Sequence, residues 1–160
     1  MGMLRYRYLA MIGMLGVLGA GVFFLSQKGS ATLATVPAVF DGVSLNIQFA
    51  TTTADREKGL GGRSSIPNNY GMLFIFPKDS LYGFWMKDML APIDMYWLDS
   101  QGHVVFFLEN VATSSYPNVF YPTTPARYVL ETAAGFSSTH QVPIREGSTL
   151  LLKNFPVVSK

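Results

Sequence analysis

The sequence predicts a mainly β domain, folded as a compact β-sandwich, jelly-roll-like or barrel-like unit with one short helix, behind an N-terminal transmembrane helix. Three observations lead to this prediction. Residues 9–25 form an uninterrupted apolar run. The rest of the chain holds short alternating or apolar segments separated by turn residues, which is typical of β-strands. Aromatic residues make up 14% of the chain, which indicates a packed core rather than disorder.

The N-terminal segment, residues 1–28, has the features of a signal anchor. As a helix, its apolar run would span about 25 Å, close to the hydrocarbon thickness of a bilayer. Arg5 and Arg7 precede the run and only Lys28 follows it closely, so the positive-inside rule places the N-terminus in the cytoplasm and the domain outside. Two alternatives stay open. One is a signal peptide cleaved near Thr32-Leu33-Ala34, which would leave a secreted or periplasmic domain, and the other is a buried core helix.

The remaining chain divides into a linker and one domain. Residues 29–38 are small and polar enough to form the linker, which leaves residues 39–160 as the exported β-rich domain. Without the three basic residues of the N-terminal segment, nine basic and ten acidic residues remain, so no basic stripe predicts a nucleic-acid partner. The absence of cysteine excludes a disulfide framework, thiolate metal sites and a cysteine nucleophile.

The pattern of the domain predicts strands joined by turns, with a single helix. Val43–Ala50 alternates apolar and polar residues, as a half-buried strand does. Thr53–Lys58 is a predicted helix, because Thr52 and Asp55 fit a capping box. Met72–Phe76 is continuously apolar, which predicts a strand buried on both faces. Further strands are predicted at Tyr82–Lys87, Ile93–Leu98, His103–Asn110, Arg127–Glu131 and Leu150–Phe155. Irregular segments are predicted between them, at residues 60–69, 111–125 and 135–146.

Several different short motifs are distributed along the domain at defined spacings. In chain order they are Glu57-Lys58-Gly59-Leu60, Arg63, Pro67, Gly71-Met72-Leu73-Phe74-Ile75-Phe76, Phe84-Trp85-Met86-Lys87, Pro92-Ile93-Asp94 and Pro125-Ala126-Arg127-Tyr128-Val129-Leu130-Glu131. Over roughly residues 43–152 the chain resembles the family catalogued as domain of unknown function 192. The resemblance implies a compact β-sandwich or jelly-roll domain behind a signal peptide or an anchor, and it implies no reaction. Two departures are Gly61, where the family commonly has Met, and Ser148, where it often has Asp.

Four charged residues inside predicted strands form the first candidate site. Lys87 and Asp94 interrupt apolar segments, whereas Arg127 and Glu131 are four residues apart on one strand and therefore share a face. If these strands are neighbours, the four side chains converge and could bind a polar or anionic ligand. The alternative is a structural network of ion pairs, each worth about 0.2–1 kcal/mol when exposed.

Three further residues are ligand-binding candidates. Trp85 could stack on a sugar ring, or it could belong to the core. Tyr121 lies in the long loop, where an aromatic side chain is well placed to touch a partner. Arg63 in the glycine-rich loop could bind an anion or be solvated. His103 and His140 have no second ligand at a metal-binding spacing, so the sequence predicts neither a metal nor a cofactor.

These observations lead to two functional hypotheses. The first is a membrane-anchored, non-enzymatic binding or accessory module of the cell envelope, whose partner is an envelope protein, a saccharide or a small polar ligand. The second is a small extracytoplasmic hydrolase or transferase, in which Asp94 or Glu131 acts as acid or base while Lys87 and Arg127 stabilise negative charge. A purely structural role is a third option.

Overall fold

The computed structural model describes residues 34–156. This part of the chain contains nine β-strands, two short α-helices and a 3-10 turn at Thr113–Ser115. In chain order the elements are β1 (Val36–Phe40), β2 (Val43–Ala50), α1 (Thr53–Lys58), β3 (Tyr70–Ser80), β4 (Phe84–Trp85), β5 (Ile93–Leu98), β6 (Val104–Val111), β7 (Val119–Phe120), β8 (Ala126–Ala133), α2 (Phe136–His140) and β9 (Leu150–Leu151). The prediction of a mainly β domain is confirmed.

Seven strands form one mixed sheet that curls into a half-barrel. The strand order is β6-β5-β8-β3-β2-β1-β9, and β4 and β7 form a separate two-stranded sheet. The two edge strands of the large sheet approach each other at one end, where His103 and Thr149 form an antiparallel bridge. There the Leu150 N–H donates to the Gly102 carbonyl over 2.9 Å. Of the predicted architectures, the barrel-like one is nearest, and residues 34–156 do not form the two large facing sheets of a sandwich.

The helix α1 lies in the connection between the one parallel pair of strands that residues 34–156 contain. Strands β2 and β3 are parallel, so a tight turn cannot join them, and the chain crosses over through α1 and the glycine-rich loop. The helix begins as predicted. The Thr52 hydroxyl accepts from the Asp55 N–H over 3.1 Å, and the Asp55 carboxylate accepts from the Thr52 N–H over 3.4 Å. The capping box is therefore confirmed, and it holds the start of α1 at the end of β2.

Each face of the large sheet carries an apolar cluster, and the central strands are buried on both faces. The inner face of the half-barrel holds Phe40, Ile47, Leu73, Tyr96, Leu130 and Phe136, among others. The outer face carries Phe74, Met95, Trp97 and Val129, covered by Leu60, Phe84 and Met86 from the loops and β4. All six residues of β5 are therefore buried, and the predicted two-sided burial of β3 holds over Tyr70–Ile75.

Several element boundaries differ from the prediction because pairing partners, rather than local pattern, set strand length. Strand β1 begins at Val36, inside the segment predicted as a linker, because it pairs with β2 over its whole length. The predicted strand Tyr82–Lys87 shrinks to β4, and Leu150–Phe155 shrinks to β9. The predicted irregular segments contain β7 and a second helix, α2, whose Phe136 is anchored in the inner core.

The predicted N-terminal anchor, residues 1–28, lies outside the described residues. Among residues 34–156, the structure contains no helix that is long and apolar enough to cross a bilayer.

Closure of the half-barrel depends on Gly102. A Cβ atom there would lie 2.6 Å from the Leu150 carbonyl oxygen, and the residue has a φ of +89°. We expect Gly102→Ala to lose more stability than Gly147→Ala, which has the same φ of +89° but open space around it. The control should cost roughly 1–3 kcal/mol for backbone strain. The clash should add roughly 1–3 kcal/mol at Gly102. Urea unfolding measures both, and equal losses would mean that the edges do not approach this closely.

Candidate functional site

Arg56 anchors helix α1 to the sheet. The Arg56 guanidinium donates to the Thr51 carbonyl over 2.5 Å and to the Ile75 carbonyl over 3.1 Å. It also lies over the Phe76 ring, 5.3 Å from its centroid. These contacts occupy Arg56 and hold the last turn of the helix, with Lys58 and Gly59, above the outer face of β3.

An open cavity of about 210 Å³ lies between α1 and β4, and we call it the aromatic cleft. It is lined by Thr53, Arg56, Glu57, Lys58, Gly59, Leu60, Phe74, Phe76, Gly83, Phe84, Trp85, Lys87 and Met89. Phe84 packs edge-on against Phe74 with ring centroids 4.9 Å apart, so these rings hold each other in place. The cleft thus has an apolar floor of aromatic rings that hold each other in place. Lys58 and Lys87 also line it.

Trp85 lines the aromatic cleft and remains half-exposed. In β4 the side chains alternate, so Phe84 enters the outer core while Trp85 keeps 50% of its surface in contact with solvent. Lys87 is exposed and lines the same cleft. Both predicted candidates therefore lie at one open site, where an indole face and an ammonium group are accessible to a ligand.

Tyr121 lies behind the wall of the aromatic cleft and does not line it. Its side chain is 59% exposed. A Cβ on Gly83 would come within 2.6 Å of the Tyr121 ring and 2.7 Å of Val119, so both side chains close over this glycine. Only glycine at position 83 therefore allows Tyr121 and Val119 to approach the backbone this closely. Because Gly83 lines the cleft, Tyr121 supports the cleft from outside.

A second, smaller cavity of about 120 Å³ adjoins the end of α1, and we call it the polar recess. It is lined by Gln48, Ala50, Asp55, Lys58, Gly59, Arg63 and Met72. The Arg63 guanidinium donates to Gln48 Oε1 over 2.8 Å and lies over the Tyr70 ring, 5.0 Å from its centroid. The Tyr70 hydroxyl donates to the same Gln48 oxygen. Arg63, a predicted anion-binding residue, is thus oriented by Gln48 and Tyr70 at the mouth of this recess.

Glu131 is buried in the outer face of the sheet beside these two cavities. In the sheet register it lies between Met72 on β3 and Met95 on β5. Its side chain is almost fully buried, and Oε2 has no hydrogen-bond partner among the described residues. Burial raises the pKa of Glu131 to about 8, and the nearby Arg63 charge opposes this increase. At neutral pH the carboxyl is therefore mainly protonated and can donate a hydrogen bond.

Asp94, another predicted site residue, lies on the opposite side of the sheet. Its register partner is Thr132, one residue beyond Glu131, so the two carboxyl groups point to opposite faces. Asp94 is completely buried and accepts hydrogen bonds from the N–H groups of Asn110 (2.7 Å), Gly135 (3.1 Å) and Phe136 (2.8 Å). It also accepts from the Tyr96 hydroxyl over 3.1 Å. Asp94 therefore joins the end of β6 and the start of α2 to β5.

The predicted convergence of Lys87, Asp94, Arg127 and Glu131 is wrong. Arg127 pairs with Asp79 at the far end of β8, where its Nε lies 2.5 Å from the carboxylate. Although Arg127 and Glu131 share a face, four residues of strand separate their Cα atoms by about 13 Å. Alternation and strand length thus place these side chains in separate environments. Lys87 lines the aromatic cleft, whereas Glu131 is buried beside Gly59.

The structure adds residues to the site that the sequence did not single out. Gln48, Lys58 and Tyr70 hold or line the polar recess, and Gly59 lines both cavities. The sequence signal for Gln48 and Lys58 was weak. A glutamine on the solvent-facing side of a strand and a lysine at the end of a helix are both common surface residues. Among residues 34–156, no group of three metal-ligating side chains is close enough to hold a metal ion.

Comparisons with solved structures agree with the fold. A protein named a candidate transcription regulator from Sinorhizobium meliloti 1021 superposes with a TM-score of 0.65 at 27% identity, covering 74% of this chain and 95% of that one. A protein of unknown function from Novosphingobium aromaticivorans DSM 12444 superposes with a TM-score of 0.69 at 22% identity, covering 78% of this chain and 89% of that one. At 22% identity, the second match supports the fold alone.

Sequence comparisons agree with the resemblance described above. An archaeal UPF0127 protein of Thermococcus gammatolerans is 30% identical over 107 residues, which cover 66% of this chain. The chain spans 65% of the length of that relative. The profile of the DUF192 family, described as "Uncharacterized ACR", matches residues 36–151. Because this match covers most of the chain, the protein belongs to the DUF192 family.

Proposed function

We propose that this protein is a non-enzymatic binding module that holds a small ligand in the aromatic cleft. The observation that carries the proposal is the half-exposed Trp85, which lines an open cavity together with Lys87. A concave site with an apolar floor and a few polar groups is the usual form of a small-ligand site. The indole can stack on a ring, and the ammonium groups supply hydrogen-bond donors. A saccharide or a small polar molecule fits this arrangement.

The proposal extends to location, with the domain held outside the membrane by the N-terminal segment as an accessory module of the cell envelope. The support is the uncharged run of residues 9–25, with Arg5 and Arg7 before it. Alkaline extraction of membranes separates the two alternatives. Retention of the full-length chain supports the anchor, whereas a shortened chain in the soluble fraction supports a cleaved signal peptide and a secreted or periplasmic domain.

Ligand binding should depend on Trp85. A thermal-shift panel of monosaccharides, disaccharides, amino acids and small organic acids on the full-length protein should give at least one stabilising compound. We expect Trp85→Ala to weaken its binding by about tenfold or more, because the variant removes roughly 1.5–3 kcal/mol of apolar contact. The expected melting temperature without ligand is near that of the wild type, since half of the side chain is already exposed.

The matched control is Leu90→Ala, because Leu90 is 63% exposed on the same segment and does not line the cleft. This variant should bind like the wild type. If Trp85→Ala binds as tightly as Leu90→Ala, the ligand does not occupy the aromatic cleft and the proposal fails.

One observation favours a second candidate, an extracytoplasmic hydrolase or transferase. A buried carboxyl group with a pKa near 8 is suited to acid–base chemistry, and Glu131 has one. This candidate now rests on Glu131 and Arg63, because Asp94 and Arg127 lie elsewhere. Turnover of an ester or glycoside that survives in Glu131→Gln would exclude Glu131 as its acid or base, and no turnover of either substrate by the wild type would count against this candidate.

The Sinorhizobium relative is named as a transcription regulator, and we do not extend that role to this chain. Without the three basic residues of the first 28, acidic residues outnumber basic ones, so the electrostatic attraction that supplies most nucleic-acid affinity is missing.

A further inference from the structure

The small two-stranded sheet exposes one continuous apolar face. In the register of β4 and β7, Phe84 lies opposite Phe120 and Trp85 lies opposite Val119. Because side chains alternate along a strand, Trp85 and Val119 share the face that points away from Phe84 and the outer core. Trp85 is 50% exposed and Val119 is 38% exposed. This face is therefore open to solvent although it carries large apolar side chains.

Tyr121 continues this face beyond the end of β7. A Cβ built on Gly83 would meet the Tyr121 ring at 2.6 Å and Val119 Cγ1 at 2.7 Å, so the ring lies over the position of the absent side chain. In an extended chain, Gly83 and Trp85 have Cα atoms about 7 Å apart and share a face. The Trp85 indole and the Tyr121 ring are consequently neighbours on one face, with Val119 beside both. We call these three residues the aromatic strip.

The polar atoms at the edges of the two rings are available to a ligand. The buried Trp97 donates its indole N–H to the Tyr82 carbonyl over 2.9 Å, as buried rings usually do. By contrast, the indole N–H of Trp85 and the hydroxyl of Tyr121 form no hydrogen bond within residues 34–156. The aromatic strip thus offers two ring faces, each with a donor at its edge, and no charge. A saccharide matches both features, because its rings have apolar C–H faces and its hydroxyl groups accept hydrogen bonds.

We infer that the ligand of the proposed binding site is a saccharide chain of two or more units, and this inference rests on the binding function proposed above. One unit lies in the aromatic cleft beside Trp85, and a following unit stacks on Tyr121. Trp85 lines the cleft and also belongs to the aromatic strip, so it joins the two positions. Tyr121 is then a ligand-binding residue although it does not line the cleft. A single sugar occupies only one of the two positions.

The test measures how affinity for the full-length protein increases with chain length. One probe series is glucose, cellobiose and cellotetraose, and the other is N-acetylglucosamine with N-acetylated chitobiose and chitotetraose. Tryptophan fluorescence follows the binding, since the chain has two tryptophans and Trp97 is completely buried, so Trp85 supplies the change. In at least one series, the tetrasaccharide should bind about three- to tenfold more tightly than the monosaccharide, the gain expected from one further stacked ring.

Tyr121→Leu isolates the second position, because it removes the ring and keeps an apolar side chain over Gly83. The ratio of tetrasaccharide to monosaccharide affinity should fall to near one in this variant. Tyr121→Phe keeps the ring and should retain most of the ratio. Trp85→Ala should weaken the binding of every sugar that the wild type binds. The matched control is Leu151→Ala, which removes a side chain of similar exposure (60%) from β9 in the large sheet and should keep the ratio of the wild type.

Equal affinity for all members of a series that binds, or a gain with chain length that persists in Tyr121→Leu, would overturn the inference. A concentration-dependent dimer that Tyr121→Leu dissociates would also overturn it, because a second copy would then cover the aromatic strip. If neither series binds but another compound does so through Trp85, the saccharide class is wrong and the binding function stands. If no compound of these series or of the thermal-shift panel binds, both fail.

Discussion

The stability of the domain should fall between pH 5 and 8, and Glu131→Gln should remove most of this fall. The folded state raises the pKa of Glu131 from 4.5 to about 8 through burial. Below pH 4.5 the carboxyl is protonated in both states and contributes no pH dependence. As the pH rises, the unfolded chain releases the proton while the folded protein retains it, which favours unfolding. Above pH 8 both states are ionised and the effect levels off.

The expected size is about 4 kcal/mol between pH 5 and 8, since each pH unit contributes about 1.4 kcal/mol. Urea unfolding of the wild type and of Glu131→Gln measures it, because the other titrating groups cancel in the difference. Glu146→Gln is the matched control. Glu146 is exposed, so the free energy of unfolding of the Glu146→Gln variant should follow that of the wild type at every pH. Parallel curves for all three proteins would mean that Glu131 is ionised, and therefore solvated, in the folded protein.

Asp94→Ala should be among the most destabilising single substitutions in the domain. The completely buried carboxylate accepts hydrogen bonds from three backbone N–H groups and from the Tyr96 hydroxyl. Alanine would leave these four donors without an acceptor, at about 1–3 kcal/mol for each group that water cannot reach. We expect a total loss of roughly 4–6 kcal/mol, measured by urea unfolding.

Because a domain of this size is stable by about 5–15 kcal/mol, Asp94→Ala could fail to fold, and Asp94→Asn provides a second measurement. Asparagine keeps one acceptor oxygen and should lose roughly 1–3 kcal/mol. The control is Asp79→Ala, which breaks the surface pair with Arg127 and should cost less than about 1 kcal/mol. A loss at Asp94 no larger than that at Asp79 would show that these donors find other acceptors.

Local pattern predicted the elements whose signals are contained in their own residues. The capping box at Thr52 and Asp55 defines the start of α1, because its two hydrogen bonds join residues three apart. The alternation in Val43–Ala50 and the apolar run in Met72–Phe76 both lie within confirmed strands. The turn after β5 is likewise stabilised by its own residues, with Asp99 accepting from the N–H of Gln101 over 2.8 Å.

Elements that depend on a distant partner were missed. Strand β1 contains Pro37 and Ala38, two residue types that are depleted in strands, and it exists because β2 pairs with it residue by residue. The helix α2 is only five residues long, and its N-terminus is held by Asp94, 42 residues away in sequence from Phe136. A helix of that length has little stability on its own, so local propensity could not have indicated it.

The sequence by itself determined the mainly β class, the family and the candidate residues Arg63, Trp85 and Lys87 that line the two cavities. Only the tertiary structure decided which charged strand residues belong together. Alternation sends Asp94 and Glu131 to opposite faces, and the strand order that makes β5 and β8 neighbours cannot be derived from either segment alone. The approach of Gly59 to the Glu131 carboxyl joins residues 72 positions apart in sequence, and such contacts exist only once the chain has folded.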